Sequence, residues 1–151
     1  METLKIEIPK GYEIEKFDTT TGVVSFKEKP KNIKERIKDF SDVLEVLGID
    51  ADDFEEVNEG LEEDEIAYRQ IKLIVKALNE GWNPDWSNSN ETKYFPWFRM
   101  GSSSGSGFSY GGCDHWVTLS YVGSRLCFKS RDLAEYAGKQ FTEIYKNYMT
   151  I

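Results

Sequence analysis

Trp116-Val117-Thr118-Leu119-Ser120-Tyr121-Val122-Gly123-Ser124-Arg125-Leu126-Cys127-Phe128-Lys129 is the stretch on which the reading of the fold turns. A type II′ turn requires glycine at its first central position, and Gly123-Ser124 supplies it. In that register Val122 faces Arg125, Tyr121 faces Leu126, Ser120 faces Cys127 and Leu119 faces Phe128. Every apolar residue except Val122 then falls on one face, Val117, Leu119, Tyr121, Leu126 and Phe128, while Trp116, Thr118, Ser120, Arg125, Cys127 and Lys129 share the other. Turn chemistry and alternation agree, so the stretch predicts a β-hairpin over 116–129.

Upstream, Lys93–Met100 reads as a strand that Pro96 confines to an edge or a bulge, and Phe108–Tyr110 reads as a short strand. Together these predict an antiparallel sheet of three to four strands over about 93–129. Amphipathic helices flank it. In 62–80, Ile66, Leu73 and Ala77 cluster, with Ile74, Leu78, Ile71 and Val75 continuing round, while Arg69, Lys72, Lys76 and Glu80 share the remaining face. An apolar arc wider than the ~100° of an ordinary surface helix predicts a helix covered on two sides. Ser130 is a natural N-cap for a second helix over 131–148, with Leu133, Ala134, Ala137, Phe141, Ile144 and Tyr145 on one stripe. The fold class is therefore α+β, with a core domain over 61–151.

Residues 1–60 read as an appendage or small subdomain. Leu4-Lys5-Ile6-Glu7-Ile8 alternates as a strand, and Val23–Lys27 follows the turn-rich Asp18–Gly22, which predicts an N-terminal β-hairpin. Asp39 and Asp42 have the spacing of an N-cap and its third helical position, and Gly48 suits C′. A short helix is predicted over Phe40–Leu47, with or without a separate turn of helix before it. Residues 50–61 read as an acidic loop.

The chain has 151 residues and a formal net charge of −8, with 39% apolar and 14% aromatic residues, enough for a core and against disorder. Asp39 to Glu65 carries 13 acidic residues and no basic one, so the remainder is at +5. The acidic stretch reads as a solvated face, or else as a cation site, a mimic of nucleic-acid charge, or a docking surface for a basic partner through Asp50, Asp52, Asp53, Glu55 and Glu56. A calcium loop is rejected. Starting it at Asp50 puts Phe54 fifth, Glu55 where glycine is needed and Leu61 where a bidentate glutamate is needed. No apolar run approaches the ~20 residues of a membrane span, and the N-terminus lacks the pattern of a signal peptide, so a cytoplasmic protein with no membrane partner is expected.

Gly81-Trp82-Asn83-Pro84-Asp85-Trp86-Ser87-Asn88-Ser89-Asn90 is the most unusual stretch. Trp82 and Trp86 could stack a base or sugar ring with Asp85 as a polar reader, or the stretch is a helix exit with Pro84 setting a turn. Trp97, Trp116, Arg125 and Lys129 extend the candidate ligand surface across the predicted hairpin. Cys113-Asp114-His115-Trp116 gathers a thiol, a carboxylate and the single histidine, but no oxyanion-hole motif accompanies it. Cys113, His115 and Cys127 lack metal-ligand spacing, so no metal or cofactor is expected and both cysteines should be reduced thiols. Gly101–Gly107 lacks the Lys-Ser/Thr of a phosphate loop.

Several stretches carry a resemblance. They are Gly60–Arg69 (GLEEDEIAYR), Ala77–Trp86 (ALNEGWNPDW), Lys93–Phe98 (KYFPWF), Val122–Ser130 (VGSRLCFKS) and Ala134–Phe141 (AEYAGKQF), with Lys5–Ile14 (KIEIPKGYEI) before them. In this order they resemble a protein family encoded in gut Bacteroidetes genomes, their prophages and phages. That family has no established activity. The resemblance covers most of the chain and implies a mobile-element accessory protein, and it carries over no site residues. With no acid/base, metal or nucleophile constellation, the expected function is a non-catalytic interaction module that binds a host or phage macromolecule. The alternatives are a single-stranded nucleic-acid binder using the tryptophans and, less favoured, an enzyme using Cys113 and His115.

Overall fold

A computed structural model describes residues 5–29 and 31–151. Among them the chain is α+β, with six helices and two antiparallel two-stranded sheets. No described helix is long and apolar enough to cross a membrane. Two compact units form, Met1–Asn32 and Ile33–Ile151. Residues 33–60 thus belong with the larger unit, and the division falls before Ile33 instead of after residue 60.

The smaller unit is a hairpin of β1 (Tyr12–Phe17) and β2 (Val24–Glu28). Of the strand expected at 4–8, Leu4 lies outside the described residues and 5–8 have no regular structure; the first strand comes after Gly11. Ile14 pairs with Phe26 and Phe17 with Val24, and a bulge between Ile14 and Lys16 keeps both apolar pairs on one face. Asp18 closes the turn. Its Oδ1 accepts the N–H groups of Thr20 (2.8 Å) and Thr21 (3.1 Å), which holds its carboxyl below the ordinary range.

The larger unit begins with α1 (Ile33–Arg36) and α2 (Phe40–Leu47). The local signals decide α2: Asp39 and Asp42 form a reciprocal capping box, and Gly48 ends the helix at φ 65°. The acidic loop expected over 50–61 instead contains α3 (Ala51–Glu56), because the Asp50 side chain caps the N–H groups of Asp52 and Asp53. The helix α4 (Glu63–Asn79) is the centre of the unit. Its wide apolar arc is covered by α2 on one side and by two C-terminal helices on the other.

Those are α5 (Arg131–Gln140) and α6 (Thr142–Met149). One helix over 131–148 was expected. Phe141 leaves helical geometry at φ −113° and ψ 30°, and Thr142 Oγ1 donates to the carbonyls of Gly138 (2.7 Å) and Lys139 (3.1 Å). A threonine bonding back to the preceding turn competes with the helical ladder there and bends the chain. Phe141 and Tyr145 remain buried on the α4 side, with Ile71, Ile74, Leu78 and Phe128 around them.

β3 (Lys93–Arg99) and β4 (Ser109–Trp116) form the sheet of this unit and pack on α5. The approach is close at Gly138, where a Cβ would stand 2.7 Å from the Pro96 Cβ and from a ring carbon of Tyr110. Gly138→Ala should improve intrinsic helix propensity by up to about 1 kcal/mol yet lower net stability by about 1–2 kcal/mol, because two rings must move. Chemical denaturation reads the sign directly, and a stabilised variant would contradict this packing.

The predicted hairpin at 116–129 does not form, and the sheet has two strands plus one bridge. After Trp116 the chain leaves the sheet. The Val117 carbonyl accepts from the buried Lys93 ammonium (3.0 Å), and Ser120 Oγ accepts the N–H groups of Val122 (3.1 Å) and Gly123 (2.8 Å). Gly123 keeps the positive φ of 70° that the turn reading required, but in a loop. Cys127–Lys129 is extended, and pairs elsewhere: Phe128 exchanges N–H···O bonds with Tyr94 of β3 (2.8 and 3.0 Å). On its other side the Asn79 side chain donates to the Cys127 carbonyl (2.9 Å) and accepts from the Lys129 N–H (3.0 Å). One amide at the end of α4 thus stands in for a neighbouring strand.

Candidate partner-binding groove

The larger unit carries an open groove of about 990 Å³. One wall is α3 with the turn after it, the floor and opposite wall are α4, and the far end is closed by 81–83 and 124–125. Phe54 and Val57, from α3 and its exit, and Leu73 and Val75 of α4 are among its apolar lining residues. Arg69, Lys72 and Lys76 line it from α4 and Arg125 from the far end, against the single carboxylate of Asp53. Positions 69, 72 and 76 differ by three and four, so their side chains form one row about 5–6 Å apart at Cβ.

The row is only partly committed. Arg69 donates to the Val57 carbonyl (3.2 Å) and ties the end of α3 to α4. The Lys72 ammonium sits 4.7 Å from the Tyr68 ring centroid. Among the described residues, no carboxylate lies within 4.0 Å of the charged group of Lys72, Lys76 or Arg125. A chain of net charge −8 therefore holds three cations without an acidic partner along one apolar-walled groove. Asn58, also on the groove wall, is buried, and its Oδ1 has no hydrogen-bond partner.

Of the sequence-derived candidates, Trp82, Arg125 and Asp53 meet in this groove. The others do not. Asp85 accepts the Ser87 N–H (2.9 Å) and hydroxyl (2.6 Å), bonds that hold its carboxyl below the ordinary range and make it part of a turn. Trp86 donates its indole N–H to Ser124 Oγ (2.7 Å) and packs its ring on the Lys93 ammonium at 5.2 Å. Trp97 is half-exposed on the sheet, its ring 6.2 Å from Phe95. Trp116 meets Tyr121 edge-on at 5.6 Å, and its indole N–H is buried with no partner. Lys129 is paired with Glu80 at 3.2 Å. The four tryptophans therefore do not converge on one cleft. Of the acidic candidates, Asp50 is the α3 cap, and Asp52, Glu55 and Glu56 are exposed on α3.

No family model, curated protein or solved structure matches the chain.

Cys113 and His115 form no hydrogen bond with each other. Cys113 Sγ donates to the Asp114 carbonyl (3.5 Å), and burial pushes its thiol up, which disfavours the nucleophilic thiolate. His115 is exposed, 3.8 Å from the Asp114 carboxylate and with its ring 5.8 Å from Tyr94. Among the described residues no group of three or more His, Cys, Asp or Glu side chains could hold a metal ion.

Cys127 is buried, and burial pushes its thiol up to about 11 from an ordinary 9. The folded chain then keeps a proton that the unfolded chain loses between these values. The Cys127 contribution is full below about 9 and is lost as pH rises towards about 11. The denaturation midpoint should fall across that range more steeply in the parent chain than in Cys127→Ala. Equal slopes would show that the thiol is not desolvated.

The residues that sequence reasoning passed over are Lys72, Lys76, Leu73 and Phe54. The signal was present, since the cations at 69, 72 and 76 lie on the one face of α4 left polar. With α3 read as a loop, that face had nothing opposite it and read as solvent-facing.

Proposed function

We propose that this protein is a non-catalytic interaction module that holds a macromolecular partner in the groove between α3 and α4. The observation that carries the reading is the row of cations without carboxylate partners along an apolar-walled groove in an acidic chain. Like charges along the row repel by about 0.2–0.5 kcal/mol per neighbouring pair, a repulsion that carboxylates of a partner would relieve. A mobile-element accessory role fits a binder of this kind.

Site-specific photo-crosslinking tests it. A photoreactive side chain at Leu73, in the groove, should give a discrete adduct in cells. One at Glu143, away from the groove, should not. The adduct should vanish when Lys72, Lys76 and Arg125 are each changed to Glu. No adduct from Leu73, or an equal one from Glu143, would sink the proposal.

A further inference from the structure

We infer that the groove takes an acidic, apolar-faced helix of a partner protein, its carboxylates against Lys72, Lys76 and Arg125 and its apolar side chains against Leu73 and Trp82. The inference rests on the interaction-module reading and names the partner's chemistry. Three features select this occupant.

The first is the composition of the walls. A single-stranded nucleic acid gains from successive aromatic faces, and the tryptophans are dispersed, with Trp82 alone of the four in the groove. The remaining apolar lining is mostly aliphatic, from Ile49, Val57, Leu73 and Val75, which suits leucine-like side chains.

The second is charge. The cations at 69, 72 and 76 repeat at helical spacing, so carboxylates at i, i+3 or i+4 on a facing helix meet them one to one. The exposed acids of α3, Asp52, Glu55 and Glu56, do not line the groove but share a helix with Asp53, which does, and they repel any anion that approaches it. That repulsion weighs most against a polyphosphate with a charge on every residue. It weighs least against a helix that turns carboxylates to one side only.

The third is that the chain already displays the mode. α3 is a short acidic helix that lines the groove through Asp53 and Phe54, with Phe54 against Phe40 at 5.1 Å and its exit tied to α4 by Arg69 at the Val57 carbonyl. It has no buried residue and leaves Lys72, Lys76 and Arg125 without carboxylates. A second acidic helix completes the arrangement.

The test uses the full chain and a synthetic, end-blocked helical peptide of ~15 residues. The peptide has Glu on one edge, Leu on the adjacent face and no tryptophan. Its binding should change the tryptophan emission of the protein, and the change should be lost in Trp82→Phe. Joint substitution of Lys72, Lys76 and Arg125 by Glu should weaken binding about tenfold or more, as three exposed pairs of ordinary strength predict. Arg99→Glu, on β3, should leave binding unchanged, and circular dichroism should show both variants folded. A peptide with Lys in place of Glu should not bind. Failure of the acidic peptide to bind, or equal binding to the charge-reversed chain, overturns the inference. Binding of a thymidine oligonucleotide in its place, with a nuclease-sensitive crosslink from Leu73, overturns the helix and leaves the interaction-module reading standing.

Discussion

Lys93→Met is expected to lower stability by about 3–5 kcal/mol, enough to move Tm by on the order of 10 °C in a chain of this size. Lys93 is only 1% exposed. Its ammonium donates to the carbonyls of Glu91 (2.8 Å) and Val117 (3.0 Å), reaches those of Asp85 and Asn88, and stands 3.3 Å from the Glu91 carboxylate. Two opposed effects meet in the substitution. Methionine removes the cost of burying a cation, which alone would stabilise. It also leaves several carbonyls facing a thioether. Replacing a buried ion pair by apolar residues is tolerated when both partners go. Here the partners, apart from the Glu91 carboxylate, are main-chain carbonyls that no side-chain change can remove, so the loss wins. Lys93→Arg should not rescue, since a planar guanidinium cannot occupy a cage shaped around a point charge. Hydrogen exchange should rise at 85–91 and 117–123, the two loops the ammonium joins. A variant within about 1 kcal/mol of the parent, with exchange unchanged, would show that the cage contributes little.

The same lysine explains where local reading stopped. The helices α2 and α4 were legible because their determinants lie within one or two turns: a capping box and a terminal glycine for α2, periodicity for α4. Asp50 and Asp53 had the same local form for α3, but thirteen acids in one stretch read as solvated chain. At 116–129 the turn glycine and the alternation were real, and Gly123 does have positive φ. What they could not show was that Val117 would be drawn to Lys93 and Cys127–Lys129 to Asn79, partners 24 and about 50 residues away. Alternation in 126–128 thus predicted a strand where only one bridge forms, to Tyr94, because periodicity sets which face is buried and does not say which chain lies alongside. The groove was legible only in part for the same reason: Trp82 and Arg125 stood out as residue types, while Lys72 and Lys76 acquire meaning from α3 across from them.

The second large effect is expected at Asn79. It is 4% exposed, and its carboxamide meets both a carbonyl and an N–H of the 127–129 segment, a pairing that needs one donor and one acceptor. Asn79→Leu keeps the size and removes both bonds, so the Cys127 carbonyl and the Lys129 N–H lose their partners. The expected loss is about 2–5 kcal/mol, at about 1–3 for each stranded group. Asn79→Asp separates the two halves of the interaction. An ionised carboxylate still accepts from the Lys129 N–H, but it turns a second oxygen on the Cys127 carbonyl and buries a charge. Its protonated form has an O–H to donate there. Burial and the facing carbonyl both raise the folded-state pKa of the introduced carboxyl relative to the unfolded chain, so the folded variant binds the extra proton. The stability deficit of Asn79→Asp should therefore shrink as pH falls and grow as pH rises towards neutrality, while that of Asn79→Leu stays flat. Denaturation midpoints of both variants against pH distinguish the two. Parallel curves would mean that the amide is held by packing and not by its paired bonds. Because Asn79 itself lines the groove, as do 124–125 just before this segment, Asn79→Leu should also weaken capture of the acidic peptide.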